Sequence, residues 1–340
     1  MSQPRRVRKI TIRDFRGIDA LELDFTDSSG TPLELVVLAG GNGSGKTTVL
    51  EAVLLAIRRS DLVPGILNEQ IRFGRAMSSL TAEVGPTAEQ STTWEMLISD
   101  TPRRNPEKYI GASSPQVEYF SAGRPLRRLP AADGDHRTYE SARLEELERR
   151  LISTYYRGLR SRSPDPSTVF NRIQAMWQRF DAHGRRLEVL PRDNNPGSGD
   201  TVVLCDRSPI PEDITSLAMA RHLAPTRPDI PSMVPLGALS SGQTALFAFA
   251  GPLVFRDEPV ELVLIDEPEQ HLHVQWQRLL LPALRALCPQ AQFIVATHSE
   301  EILDSVLSYE RFILVDDDDP RADVHDESGP IDEDSPAEFA

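Results

Sequence analysis

Residues 40–47 read Gly-Gly-Asn-Gly-Ser-Gly-Lys-Thr, and residue types at that spacing bind phosphate. Gly40, Gly43 and Gly45 let the backbone turn with its N–H groups aimed at phosphate oxygens, and a helix starting at Lys46 adds the positive end of its dipole. In such a loop the Lys46 ammonium reaches the β- and γ-phosphates and the Thr47 hydroxyl holds Mg²⁺. Nucleotide contacts are expected from Asn42, Gly43, Ser44, Gly45, Lys46, Thr47 and Thr48. Much later in the chain the apolar run Leu262–Ile265 ends in Asp266-Glu267. Asp266 suits the Mg²⁺ shell. Glu267, one residue on, is placed to accept a proton from an attacking water, a role typically worth about 10²–10⁴ in rate. A third run, Gln292–Ala296, is followed by Thr297-His298-Ser299, and His298 there is a candidate donor to the γ-phosphate. His271 and His273 lie two apart, but neither cysteine nor a third ligand stands at a recognisable metal spacing.

These groups need elements that bring them together. Leu35–Leu38 has the look of a buried strand, and Lys46–Arg59 has helical periodicity without an internal Gly or Pro. Strand, glycine loop and helix therefore follow in order, and the carboxylates sit where parallel strands present ligands. Leu239-Ser240-Ser241-Gly242-Gln243 offers small residues that permit close approach, and Thr244–Ala250 reads as a helix whose N-terminus can face an anion. On its residues alone this stretch is only a helix-start signal.

Taken in this order, the motifs resemble an ABC-type ATPase head: a phosphate loop, Leu-Ser-Ser-Gly-Gln, Asp-Glu-Pro-Glu-Gln-His-Leu-His from Asp266 to His273, then Ala-Thr-His-Ser. Within that superfamily the chain resembles the SMC, RecF and OLD group. Arg13-Asp14-Phe15-Arg16-Gly17-Ile18 is similar to that group's opening strand turn, and Asp266–His273 with Thr297-His298-Ser299 is similar to OLD-like and Septu-type ATPases. The likeness covers residues 8–60, 236–275 and 290–315. It implies an α/β fold: an ABC-ATPase head with a P-loop sheet, antiparallel N-terminal strands and a small helical insertion lobe. It also implies two heads sandwiching two ATP molecules as a homodimer, each nucleotide touching the phosphate loop of one subunit and Ser240, Gly242 and Gln243 of the other. The family's aspartate after the catalytic Glu falls at His273, as in OLD-like members. No clear lid glutamine follows the strand Val117–Phe120, where Arg124 or Gln116 is a substitute.

The resemblance divides the chain into residues 1–100 (first part of the head), 101–235 (insertion), 236–315 (second part of the head) and 316–340 (an acidic, disordered tail). In the insertion Leu144, Leu147, Leu151, Ile152 and Tyr155 share one helical face, as do Val169, Phe170, Ile173, Trp177 and Phe180. Two helices of roughly 20 residues reach only about 30 Å, which excludes a long coiled-coil rod. Residues 191–235, rich in proline, are expected as surface loops.

Composition narrows the classes further. Two cysteines in 340 residues give no disulfide framework. The longest apolar stretch, Ala245–Phe255, is interrupted by Gly251-Pro252 and falls short of the roughly 20 residues of a membrane span. With no signal-peptide pattern, a cytoplasmic protein without membrane contact is expected. Of the net charge of −14, residues 316–340 supply −10 through 11 acidic side chains and one Arg. Residues 1–16 carry six Arg or Lys against one Asp, and 102–192 carry 18 against 11; such stretches are either solvated charged faces or the places where DNA or RNA would bind, and the acidic tail either solvates the chain or competes with nucleic acid for a basic surface. The expected function is an ATP-hydrolysing subunit, with ATP and Mg²⁺, whose head dimerisation gates a nucleic-acid-directed process. It would be the ATPase or sensor of an anti-phage defence system acting with a separate effector, a nuclease or toxin. The alternative is a RecF-like DNA-repair ATPase that binds DNA directly. A transporter subunit fits poorly with the opening strand and the His-Leu-His stretch.

Overall fold

The computed structural model describes residues 5–63, 67–99, 114–122, 139–161, 169–190, 200–206, 209–256 and 258–314. The acidic segment 316–340 and Arg124 lie outside them. In chain order the strands and helices are β1 (Val7–Phe15), β2 (Ile18–Asp24), β3 (Leu35–Ala39), α1 (Lys46–Ala56), β4 (Met77–Val84), β5 (Thr92–Ser99), β6 (Val117–Phe120), α2 (Tyr139–Ser161) and α3 (Val169–Trp177). They continue with β7 (Arg186–Leu190), β8 (Thr201–Cys205), α4 (Leu217–Leu223), β9 (Met233–Pro235), α5 (Ser241–Val254), β10 (Leu262–Asp266), α6 (Val274–Leu287), β11 (Gln292–Thr297), α7 (Glu300–Asp304) and β12 (Arg311–Ile313).

The central sheet has the order β12-β3-β11-β10-β6 and is parallel throughout. Its strands are continuous apolar runs because both faces are covered. Leu35 and Val37 of β3 face one core, with Val263, Ile265, Phe293, Val295 and helices α2, α3, α5 and α6. Val36 and Leu38 face the other, with α1 and the inward side chains Ile10, Ile12, Leu80 and Trp94 of an antiparallel sheet. That second sheet has the order β2-β1-β4-β5. Helix α1 lies between the two sheets, and its residues 49–56 are buried on every side. Gln292, fully buried, joins the sheets: its Oε1 accepts from the Val7 N–H (2.7 Å) and its Nε2 donates to Val7 O (2.8 Å) and Leu33 O (2.9 Å).

Parallel strands place all their carboxyl ends on one rim. Ile265 is level with Phe120, Asp266 with Ala296, Ala296 with Leu38, and Thr297 with Ala39. The phosphate loop after β3, the carboxylates ending β10 and the histidine after β11 are thereby brought side by side.

Several expectations are corrected. The second helix of the insertion is shorter than foreseen, 9 residues against 23 for the first. Leu144, Leu147, Leu151, Ile173, Trp177 and Phe180 do form the predicted apolar faces, and they share one core with α5 and α6. Trp177 stacks on Phe247 of α5 with ring centroids 5.1 Å apart, a pairing worth about 0.5–1.5 kcal/mol beyond its buried area. The strand β6, numbered within 101–235, belongs to the central sheet. Residues 200–235 are not only loops: β8, α4 and β9 enclose a small core of Leu190, Val203, Ile214, Ala220 and Ile230. The five-residue run Thr201–Cys205 was hidden by the surrounding prolines.

The basic amino-terminal stretch also has a structural use. Arg5 pairs with Glu261 (2.7 Å), Arg6 with Glu34 (2.9 Å) and Arg8 with Glu83 (2.9 Å), while Lys9 meets Glu22 and Arg16 meets Glu51. Carboxylates thus pair with five of the six cations of residues 1–16. Cys205 and Cys288 are both buried and free; burial pushes their thiols up to about 12 and about 11.

Candidate active site

At Gly40 an added Cβ would lie 2.4 Å from the Leu314 carbonyl oxygen and 2.5 Å from Ser44 Oγ, so the loop closes there only around glycine. Gly43 and Gly45 both have φ of 88°, in the left-handed region that costs other residues steric energy. Gly45 is the residue from which α1 starts. These turns build a cradle of backbone N–H groups at a helix N-terminus, the donor set that phosphate oxygens require. Asn42 is exposed and Thr48 partly so. Lys46 is only 5% exposed, and its ammonium donates to Gly40 O (3.0 Å), Gly41 O (2.7 Å) and Ser44 Oγ (3.4 Å). Burial lowers its pKa, against the opposing pull of Glu267, Asp266 and Glu269.

The Thr47 hydroxyl lies 3.0 Å from each carboxylate oxygen of Asp266. Asp266 is buried. Burial, with smaller contributions from Glu267 and Glu51, pushes its carboxyl up to about 6 against hydrogen bonds from Thr47 and the Ala122 N–H. A carboxylate held in so costly a place is a fitting ligand for a cation. Among the described residues no group of three His, Cys, Asp or Glu side chains forms a metal cage. The donor chemistry of the Thr47 hydroxyl and the Asp266 carboxylate fits Mg²⁺ in its usual form, one carboxylate completed by substrate phosphates and water.

Glu267 has φ of 51° and its N–H donates to Ala296 O at 2.8 Å. A left-handed non-glycine residue costs of order 1–3 kcal/mol and is typical of reaction sites. Its Oε2 accepts from Gln270 Nε2 at 2.5 Å, and its Oε1 stands 3.5 Å from His298 Nε2. Both side chains are about one-third exposed, 32% and 30%, so solvent reaches them.

Sequence reasoning missed three residues here. Glu269 accepts from the Thr297 hydroxyl (2.8 Å) and from the His298 N–H (2.7 Å). Gln270 holds Glu267, as above. Glu51, fully buried on α1, pairs with Arg16, whose main-chain N–H donates to Gln70 O at 2.8 Å. A lone carboxylate inside the apolar run Val49–Ile57 was a signal for Glu51. Glu269 and Gln270 carry no comparable mark.

The predicted residues divide into two groups. Lys46, Thr47, Asp266, Glu267 and His298 converge on the sheet rim. Ser240, Gly242 and Gln243 form a second structure at the start of α5. There Ser240 Oγ accepts from the Gln243 N–H and Gln243 Oε1 accepts from the Ser240 N–H at 3.0 Å, a reciprocal cap. A Cβ on Gly242 would lie 2.7 Å from the His271 carbonyl oxygen and 3.8 Å from the Trp276 ring. This glycine is therefore pressed against the turn that follows Glu267, not against the phosphate loop. His273 caps α6, its Nδ1 accepting from the Gln275 N–H at 3.3 Å. Gln116 is excluded as the lid residue: it precedes β6, at the opposite end of the sheet, and is bonded to Glu258 and Glu261.

Comparison with known proteins gives the family and the fold. The family described as "AAA domain, putative AbiEii toxin, Type IV TA system" matches residues 35–304. The chain belongs to this family. Septu protein PtuA of Bacillus mycoides (strain KBAB4) is 24% identical over 93% of the chain and 41% of its own length, so the chain spans about two-fifths of that relative. The Retron Vc95 probable ATPase of Vibrio cholerae serotype O1 biovar El Tor is 22% identical over 89% of the chain and 72% of its length. Among solved structures, an SmcHead bound to the C-winged helix domain of ScpA aligns over 88% of this chain and 92% of that chain, with a TM-score of 0.51 and 14% identity. The fold of this AAA-domain family member is thus that of an SMC-type ABC-ATPase head, and the motif-level likeness to Septu-type ATPases is borne out. Among its described residues no helix is long and apolar enough to cross a membrane.

Proposed function

We propose that the protein binds and hydrolyses ATP, and that ATP-dependent pairing of two heads switches a separate effector in a defence system. The observation that carries this reading is the convergence of the buried Lys46, the Thr47–Asp266 pair and the Glu267–His298 pair on one rim of the parallel sheet. Phosphate oxygens would lie against the N–H groups of residues 42–48, with the Lys46 ammonium neutralising the β- and γ-phosphates. Thr47 and Asp266 would hold Mg²⁺, which would supply positive charge to offset that of the phosphates. Glu267 would take a proton from the attacking water, and His298 would orient that water or donate to the γ-phosphate. Two orienting partners support Glu267 in this role: Gln270 on one oxygen and His298 beside the other.

Pairing of heads is supported by the form of the second structure. The capped start of α5 around Ser240, Gly242 and Gln243 presents backbone N–H groups and small side chains, which suits the γ-phosphate of a nucleotide held by another copy. Likeness to a Septu protein and to a retron probable ATPase supports the ATPase and defence-system parts of this reading; the separate effector is the proposal's own step. The site roles are part of the same proposal, as is the functional division at residues 100, 235 and 315, with β6 counted as part of the head.

The test is to trap the closed state. Glu267→Gln protein, tagged and expressed in its own host, is purified with ATP and Mg²⁺ and its companions are identified. A stoichiometric nuclease or other toxic protein is the expected result. Nucleic acid with no protein partner would replace this reading by a directly DNA-binding repair ATPase.

A further inference from the structure

Glu269 lies in none of the roles assigned above, yet both of its carboxylate oxygens are committed. One accepts from the Thr297 hydroxyl at 2.8 Å and the other from the His298 N–H at 2.7 Å. The residue follows Glu267 by two positions and reaches across 28–29 residues of sequence to the end of β11. Its bonds therefore tie the turn that carries the proposed base to the segment that carries the proposed histidine. The tie continues. Thr297 Oγ1 also accepts from the Ser299 N–H (3.0 Å), and Ser299 Oγ donates to Gln277 Oε1 (2.6 Å) on α6 while capping α7. His298 is thus fixed at its main chain on both sides, and its imidazole is left 3.5 Å from Glu267.

We infer that Glu269 is the positioning residue for His298, setting the distance between the imidazole and Glu267. This rests on the roles proposed for Glu267 and His298. The physical argument is about rigidity. His298 follows the last hydrogen-bonded residue of a strand, where a backbone is free to turn unless something holds it. A charged acceptor gives a shorter and roughly twofold stronger bond than a neutral one, and two such bonds to adjacent residues fix both the position and the direction of the segment. Displacement of a reacting group by about 1 Å can cost on the order of 100-fold in rate.

A kinetic cycle tests this. Glu269→Ala, His298→Ala and the double variant are assayed over a range of MgATP concentrations beside wild type. The expected result is a fall in kcat of about 10–100-fold in each single variant, KM within about twofold of wild type, and a double variant no slower than His298→Ala, as for residues that act as one unit. Multiplicative losses in the double variant would overturn the inference, because Glu269 would then act by another route. Since the Glu269 charge also acts on Lys46, a raised KM with unchanged kcat would overturn it too, by assigning the effect to nucleotide binding. Should Glu269→Ala fail to fold, Glu269→Gln, which keeps a carbonyl acceptor for the His298 N–H, enters the same cycle with a smaller expected loss. Wild-type turnover in His298→Ala would sink both this inference and the role of His298. A slow His298→Ala beside a wild-type Glu269→Ala would sink the inference alone.

Discussion

Asp266→Asn should make the protein more stable and, at the same time, inactive. The carboxyl is buried and pushed from its ordinary value of 3.8 up to about 6, with desolvation as the largest cause. A shift of about two units corresponds to about 3 kcal/mol at roughly 1.4 kcal/mol per unit. Because the folded-state value is raised, the folded protein binds the proton more tightly than the unfolded chain does. The contribution to stability is complete below about pH 4 and is lost as pH rises through about 6. Asparagine carries no charge to desolvate and retains an acceptor for the Thr47 hydroxyl, so about 2–3 kcal/mol should return at pH 8. With an unfolding entropy of about 2 cal/mol/K per residue, a chain of 340 residues gains roughly 3–4 °C in Tm. At pH 5 the gain should be about half as large. The assay is thermal unfolding of both proteins in chelator without nucleotide, from pH 5 to 8, with ATP turnover measured in parallel. A Tm that is unchanged or lower at pH 8, or a gain equal at pH 5 and pH 8, would refute the electrostatic reasoning.

Further predictions follow from the same geometry. Lys46→Ala removes a charge-assisted contact worth about 1.5–3 kcal/mol, so the Kd for ATP measured by calorimetry should rise about 10–150-fold; a value within twofold of wild type would remove Lys46 from the site. Gly242→Ala places a methyl group 2.7 Å from the His271 carbonyl and should cost about 1–3 kcal/mol by overpacking. Nucleotide affinity of the isolated head should stay unchanged while ATP-dependent association weakens, and equal association by light scattering would contradict the assignment of this glycine. Trp177→Ala should lower stability by about 3–5 kcal/mol, read by denaturant midpoint, since the buried ring joins α3 to α5; a loss below 1 kcal/mol would contradict the shared core.

What could be read from the sequence followed from how each piece is specified. The parallel strands β3, β10 and β11 are uninterrupted apolar runs, because both faces are buried, and each ends in residues of unusual type: glycines, Asp266-Glu267, His298. Local order thus marked out the candidate site. Partners chosen by the tertiary fold left no such trace. Arg5, Arg6 and Arg8 form a basic stretch in the sequence, whereas in the fold Glu261, Glu34 and Glu83 stand opposite them. Glu269 resembled any polar turn residue, since its bonds reach Thr297 and His298 only after β10 and β11 pair in register. The amphipathic faces of α2 and α3 were legible, but their burial in the same core as α5 and α6 was not, because periodicity identifies an apolar face without naming what covers it.

The measurement that bears most directly on the central claim is the solution mass of Glu267→Gln protein by light scattering, with and without MgATP. The account predicts monomer mass without nucleotide and twice that mass with it, because binding is preserved while the general base is lost. A mass that does not respond to MgATP, in protein shown to bind the nucleotide, would contradict it.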